Sequence, residues 1–205
     1  MTNLIALISY SLAAFVFAGL FFLLLTGWRA RFQGRQLLVA VGVSVVWAAA
    51  GATQAAMDWA GFQLVWAAEV VRNLVWIFFL LHLLKPFAEG NRLYLQMLAY
   101  VRLGCLLLAL LMLVILVDIP FLRPMLRAGE MVGEFSLIGQ LLFAVLGLAL
   151  VEQLFRNTPA ERRWGIKHLA FGLGAMFAYD FYLYSDALLV HRLDAAIWSA
   201  RGFVV

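Results

Sequence analysis

The sequence predicts an all-α protein, a polytopic bundle of transmembrane helices with six complete spans and the start of a seventh. Of its 205 residues, 66% are hydrophobic and only 13% are charged, whereas soluble domains have about 45–50% apolar and about 25% charged residues. The apolar runs are continuous and reach the length of about 20 residues that a helix needs to cross a bilayer. Strands of a membrane β-barrel instead alternate apolar and polar residues. The composition therefore indicates a helical protein in a lipid bilayer.

Six apolar runs reach membrane-spanning length and form one transmembrane domain over residues 1–205. They cover residues 4–25, 36–57, 62–84, 97–117, 131–155 and 168–190. The first run is too long for the apolar core of a signal peptide, so we expect it to be retained. A seventh run begins near residue 195 and is cut off at Val205. We therefore expect the chain to be a fragment of a longer protein.

The links between the runs are short and rich in turn-forming residues. The four prolines fall in these predicted loops, at Pro86, Pro120, Pro124 and Pro159. No span is therefore expected to be broken by proline. Before the sixth run, Thr158-Pro-Ala-Glu161 has the spacing of a capping box and predicts a helix start.

Basic residues divide unequally between the two sides of the predicted bundle. One side receives nine: Arg29, Arg31, Arg35, Lys85, Arg92, Arg156, Arg162, Arg163 and Lys167. The other receives three: Arg123, Arg127 and Arg192. Because short cytoplasmic loops carry the excess of Lys and Arg, loops 27–35, 85–96 and 156–167 are predicted to be cytoplasmic and the N-terminus outside. The net charge of +4 is thus a topology signal, and no nucleic-acid partner is expected.

Ionisable side chains lie within two of the predicted spans. Glu69, Arg72 and Asn73 occupy positions i, i+3 and i+4 of the third span and share one helix face. At about 1.5 Å per residue, Arg72 lies roughly 15 Å from the start of that span, near the midplane. In the sixth span Asp180 lies at a similar depth, so we expect Arg72 and Asp180 to meet across two helices.

Two interpretations of this polar cluster stay open, because buried charges require partners or roles. In the first, Glu69, Arg72 and Asp180 form a structural ion-pair network. In the second, the same residues line a polar cavity open to the outer face, where a ligand or proton changes the pairing. Under this second interpretation, the cavity is also lined by Tyr184 and Asp186, together with Tyr179, Tyr182 and Ser185. In either case two acids face one base, which leaves one carboxylate protonated or awaiting another partner.

Motifs for covalent chemistry are absent from the sequence. It has no Gly-x-Ser-x-Gly elbow, no Walker loop and no His-Glu-x-x-His motif. A retinal Schiff base needs a lysine in mid-span, and Lys85 and Lys167 lie at span ends. No catalytic residue, cofactor or metal is therefore predicted in this chain.

The whole chain carries a resemblance to a known family, and residues 157–202 are its most specific part. The relevant stretches are residues 157–169, residues 177–189, Arg192-Leu-Asp194, Trp198-Ser-Ala-Arg-Gly202, and the Glu69-x-x-Arg72 face followed by Trp76. These resemble the N-terminal membrane region of the PEP-CTERM/exosortase-system sensor histidine kinases of the PrsK type. Such a resemblance implies a location in the bacterial inner membrane and a sensory or anchoring role in two-component signal transduction.

In that family the spans precede a cytoplasmic GAF domain and a histidine-kinase core. The resemblance therefore implies a kinase domain in cis with its ATP and Mg²⁺, a homodimer formed through the parent kinase, and a response regulator as partner. An alternative from another class is a small transporter or channel with Arg72 and Asp180 lining a polar path. Since transporters often have spans broken by Gly or Pro, the placement of the prolines favours the sensor.

Overall fold

The computed structural model describes residues 2–27, 32–57, 62–116 and 129–204, and every regular element in these ranges is helical. The helices are α1 (Thr2–Gly27), α2 (Phe32–Met57), α3 (Phe62–Ala88), α4 (Arg92–Leu116), α5 (Gly129–Asn157), α6 (Ala160–Val190) and α7 (Ala195–Ala200). A 3₁₀ turn, Arg201–Phe203, follows α7 directly. The predicted all-α class is confirmed.

Five helices in the described part of the chain are long and apolar enough to cross a membrane. They contain the segments Asn3–Gly27, Gly34–Met57, Gln63–Ala88, Arg92–Leu116 and Gly133–Asn157. These segments coincide with the first five predicted spans. The sixth predicted span lies in α6, where two aspartates, several tyrosines and several glycines interrupt the apolar residues. Six spans and the start of a seventh are therefore not confirmed.

Two local predictions are wrong. Pro86 lies inside α3 rather than in a loop. It has no backbone N–H to donate to the carbonyl four residues earlier, and α3 ends two residues later, at Ala88. The capping box before α6 does not form either. Pro159 is the N-cap of α6, while the Thr158 hydroxyl donates back to the Leu154 carbonyl at 2.7 Å. Pro159 has the non-helical backbone of an N-cap, with φ −55° and ψ 148°, so α6 starts at Ala160, eight residues before the predicted span.

The helices group into two compact units, which we call unit 1 (Met1–Phe79 with Asp194–Val205) and unit 2 (Leu80–Leu193). In unit 1, α1 packs along α2. Gly51 allows the closest approach, since a Cβ at this position would lie 2.7 Å from the Tyr10 ring. Trp76 on α3 donates to Ser44 on α2 at 3.0 Å. Close approach at Gly51 and the Trp76–Ser44 hydrogen bond thus help to hold these helices together.

In unit 2, α5 and α6 form an antiparallel hairpin joined by Thr158 and Pro159. Gly147 on α5 faces Phe177 on α6 so closely that a Cβ would lie 2.5 Å from the phenyl ring. Gly139 similarly accommodates Met112 of α4. Glycine therefore allows close helix contacts in this unit as well.

Large apolar side chains are exposed on both units, among them Phe15, Phe22, Leu93, Leu107, Phe171 and Leu189. Exposed apolar surface of this extent suits hydrocarbon and not water. A lipid bilayer is therefore the environment that these helices fit. Orientation stays a prediction, and four of the residues on which it rests, Arg29, Arg31, Arg123 and Arg127, lie outside the described residues.

Candidate functional site

The polar face of α3 is completely buried. Glu69, Arg72 and Asn73 each have 0% of their surface exposed, as expected for residues that share one face of the helix. An uncompensated charge in such a place is strongly unfavourable. The partners of these side chains therefore define the site.

Glu69 pairs with Arg201, a residue of the 3₁₀ turn. Arg201 Nη1 donates to Glu69 Oε2 at 2.7 Å, and Nη2 donates to Oε1. Both side chains are fully buried. The parallel pair of charge-assisted hydrogen bonds is the strongest geometry available to an arginine and a carboxylate.

The C-terminal segment, residues 194–204, reaches α3 by way of α1. Asp194 caps α7 by accepting from the backbone amide of Ala196 at 2.7 Å. The Ser9 hydroxyl donates to the Ser199 carbonyl, and the Tyr10 hydroxyl donates to the Trp198 carbonyl at 3.2 Å. These bonds satisfy carbonyls at the end of a short helix and hold the segment against α1.

Gly202 makes this approach possible. A Cβ at this position would overlap the backbone of Ser9 and Tyr10. The 3₁₀ turn and α1 are therefore in direct backbone contact, which only glycine permits. The adjacent Arg201 side chain is thereby directed towards Glu69.

Trp47 of α2 contacts two buried arginines of unit 1, Arg72 and Arg201. The Arg72 guanidinium carbon lies 4.0 Å from the indole centroid, and that of Arg201 lies 5.3 Å from it. The Tyr10 ring meets the same indole edge-on, with centroids 5.3 Å apart. Desolvated cation–π contacts contribute about 2 kcal/mol each, so Trp47 helps to accommodate two buried cations in one site.

Two further tryptophans, Trp66 and Trp198, lie beside Arg201. Trp66 of α3 stacks on Trp198 of α7, with centroids 5.9 Å apart and an interplanar angle of 10°. Arg201 lies over the Trp198 ring at 5.3 Å. The stack is a further contact between α3 and the C-terminal segment.

Arg72 is held by its chain neighbour as well as by Trp47. The Asn73 Oδ1 atom accepts from Arg72 Nε at 3.3 Å and from Nη2 at 3.1 Å. The described site in unit 1 thus contains one carboxylate, two guanidiniums and one amide around an indole. We call Glu69, Arg72, Asn73, Arg201 and Trp47 the polar core.

The other predicted site residues lie on α6, in unit 2. Asp180 and Tyr184 are fully buried, whereas Asp186 is half-buried. The structure therefore gathers Glu69, Arg72 and Asn73 in one unit, and Asp180, Tyr184 and Asp186 on one helix of the other. The Arg72–Asp180 pair stays a prediction.

Arg201 is the residue that sequence reasoning missed. The predicted balance of two acids against one base includes Glu69, Asp180 and Arg72 and leaves out Arg201. The excess of acid was itself the signal, since it called for another base. Comparisons with protein-family models, with curated proteins and with solved structures find no match to this chain. The resemblance to a sensor kinase stays a hypothesis.

Proposed function

We propose that this chain is the membrane-embedded sensory and anchoring module of a two-component sensor histidine kinase of the PEP-CTERM/exosortase type, relaying a cue to a cytoplasmic kinase core. The observation that supports it best is the buried Glu69–Arg201 ion pair. This pair joins the polar face of α3 to the C-terminal segment. A cue that alters the charge or position of Glu69 would therefore move residues 194–204, from which the chain would continue towards the kinase.

The energy of such a pair is of the right size for a switch. Removing one partner of a buried ion pair costs about 3–5 kcal/mol. Moving a two-state equilibrium from 1:99 to 99:1 takes about 5.5 kcal/mol. A cue that neutralises one partner thus has about 3–5 kcal/mol available, which is enough to shift most of a population between two states.

We also propose a topology of six complete spans and the start of a seventh, supported by the length of α6. At 31 residues, α6 is about 46 Å long, well above the roughly 30 Å of a hydrocarbon core. Its residues 168–190 form the sixth span, and residues from 195 onward lead into a seventh. With the N-terminus outside the bacterial inner membrane, seven spans bring the continuation of the chain to the cytoplasm.

The test is autophosphorylation of the full-length protein in lipid vesicles, normalised to the amount inserted. Glu69→Gln should shift the basal rate severalfold, because it removes the charge that holds Arg201. Glu152→Gln is the matched control: its carboxylate pairs with Arg156 on the surface of α5, with 71% and 63% of the two side chains exposed, and it should leave the rate unchanged. An unchanged rate in Glu69→Gln would contradict the relay.

Variants of α6 test the second predicted group of residues. Asp180→Asn is expected to alter the resting rate, and Tyr184→Phe and Asp186→Asn the response to cell-envelope extract, because a ligand acts through its differential affinity for two states. If all three match wild type, the spans serve only as an anchor. Absence of ATP-dependent phosphorylation, together with solute or proton flux in proteoliposomes, would instead establish the transporter.

A further inference from the structure

The hairpin of α5 and α6 carries a groove that shares no lining residue with the polar core. It has a volume of about 610 Å³, within the range of small-molecule sites. The α5 wall consists of Leu148, Val151, Glu152 and Phe155, and the α6 wall of Arg163, Trp164, Lys167, Ala170 and Phe171. These positions recur at three- and four-residue intervals, so each helix presents one face to the groove.

The groove is polar at one end only. Arg163 and Lys167 lie near the turn between the helices, and the walls farther from the turn, formed by Leu148, Ala170 and Phe171, are apolar. Lys167 Nζ lies 4.6 Å from the Trp164 ring centroid, and 75% of Trp164 is exposed. A tryptophan beside lysine and arginine is typical of the boundary between hydrocarbon and headgroups.

Cationic charge dominates the polar end. Glu152 is the acid of the groove wall, and its Oε1 accepts from Arg156 Nη1 at 3.1 Å. That ion pair offsets the Glu152 charge. Arg163 donates through Nε to the Thr158 carbonyl at 3.0 Å, a neutral partner that leaves its positive charge in place. The positive charges of Arg163 and Lys167 at the polar end are therefore not neutralised by Glu152, whose charge is offset by Arg156.

We propose that this groove binds an anionic glycerophospholipid. The phosphate of the headgroup contacts Arg163 and Lys167, and one acyl chain lies along Leu148, Ala170 and Phe171. The polarity of the groove matches that of the lipid: two positive charges at one end and a continuous apolar surface beyond them. Basic pockets between membrane helices on the cytoplasmic side are known to favour anionic headgroups, and this end belongs to the predicted cytoplasmic loop 156–167.

A lipid fits these observations better than a partner helix. An amphipathic partner would present apolar side chains along the groove and also an acidic residue in register with Arg163 and Lys167. An anionic lipid supplies both properties in one molecule and is present at high concentration wherever these helices are inserted. The proposal is independent of any kinase function.

Native mass spectrometry of the whole chain in detergent tests the site. Phosphatidylglycerol has a net negative charge, whereas the choline cation of phosphatidylcholine offsets its phosphate. Phosphatidylglycerol should therefore bind more tightly, by about fivefold for each groove cation beside the headgroup. Lys167→Gln should reduce this preference, and Arg163→Gln with Lys167→Gln should abolish it. The control with equal charge loss is Arg92→Gln with Arg162→Gln, two exposed cations outside the groove, which should retain the preference.

A second pair of variants tests the apolar end. Ala170→Phe fills the groove and should weaken binding of both lipids at least fivefold. Ala178→Phe, at an exposed position of the same helix outside the groove, should not. Thermal unfolding of each variant identifies any that fail to fold, and Lys167→Gln, which leaves the Thr158 hydrogen bond intact, keeps the test valid if Arg163→Gln unfolds.

Several results would overturn the proposal. One is equal loss of preference in the groove and control pairs. Another is displacement of phosphatidylglycerol by millimolar inorganic phosphate, which would make the site a free-phosphate site. A third is the detection of a protein dimer instead of lipid adducts. If Ala170→Phe abolished that dimer, the groove would be assigned to a second copy of the chain.

Discussion

Arg201 and Glu69 are 132 residues apart in the chain, yet they form a bidentate ion pair within unit 1. Neither side chain has any exposed surface. A pair so deeply buried is costly to desolvate, and its value is greatest as a determinant of which segments must meet. Here it selects residues 194–204 as the neighbour of α3.

A double-mutant cycle measures how strongly the two side chains interact. Glu69→Gln and Arg201→Gln should each lower the free energy of unfolding by about 3–5 kcal/mol, because each leaves a buried charge uncompensated. The double variant should lose clearly less than the sum, because it removes both charges. Unfolding in detergent by circular dichroism provides the measurement.

The exposed Glu152–Arg156 pair provides the control for that cycle. It spans one helical turn on the surface of α5, where such pairs contribute about 0.3–0.5 kcal/mol. Glu152→Gln and Arg156→Gln should therefore be nearly neutral. Strictly additive losses at Glu69 and Arg201 would show that the buried pair is not formed.

Substitution of Gly202 tests the backbone contact with α1. Gly202→Ala should destabilise the protein by about 1–3 kcal/mol, because the added methyl overlaps the backbone of Ser9 and Tyr10, which cannot move independently of α1. Gly104→Ala is the control, since a Cβ there meets nothing within 4 Å. That variant should be neutral or slightly stabilising. Equal thermal stability of the two variants would refute the close approach.

Reporter fusions test the predicted orientation of the chain in the membrane. Fusions at Gly34 and Asn157 should be active with a reporter that works in the cytoplasm, because nine of the twelve counted loop cations fall on that side. A reporter that works only outside the cytoplasm should be inactive at both sites. High activity of the external reporter at either site would reverse the topology.

A separate double-mutant cycle tests the predicted pairing of Arg72 with Asp180. If these two side chains interact, Arg72→Ala should destabilise more than the double variant with Asp180→Asn does. Thermal stability in detergent gives the sign of the coupling. A coupling energy of zero would mean that each has other partners, as Arg72 does in Asn73 and Trp47.

Local patterns predicted the helices because membrane length and continuous apolarity are properties of single segments. The five membrane-length helices follow from runs such as residues 4–25, and the shared face of Glu69, Arg72 and Asn73 follows from their spacing alone. Boundaries were less accurate. The α3 helix continues for two residues past Pro86, although proline lacks the backbone N–H for a helical hydrogen bond. The start of α6 at Ala160 depends on the Pro159 cap.

The partner of Glu69 was beyond the reach of local patterns. Arg201 follows a six-residue helix and carries no periodic signal of its own. Its position depends on contacts of Ser9, Tyr10 and Gly202, which lie at opposite ends of the sequence. Trp47 likewise has no sequence signal that separates it from other buried aromatic residues, because its role depends on the two guanidiniums beside it. Such tertiary contacts between distant segments leave no mark on sequence spacing.

The separation of Glu69 from Arg201 also has a consequence for biosynthesis. At about 5–20 residues per second, the ribosome needs on the order of ten seconds to reach Arg201 after it has added Glu69. During that interval α3 must enter the membrane with a carboxylate whose arginine has not yet been made. Insertion factors or proteases that recognise membrane-embedded charge therefore have time to act on the nascent chain, and completion of residue 201 closes that period.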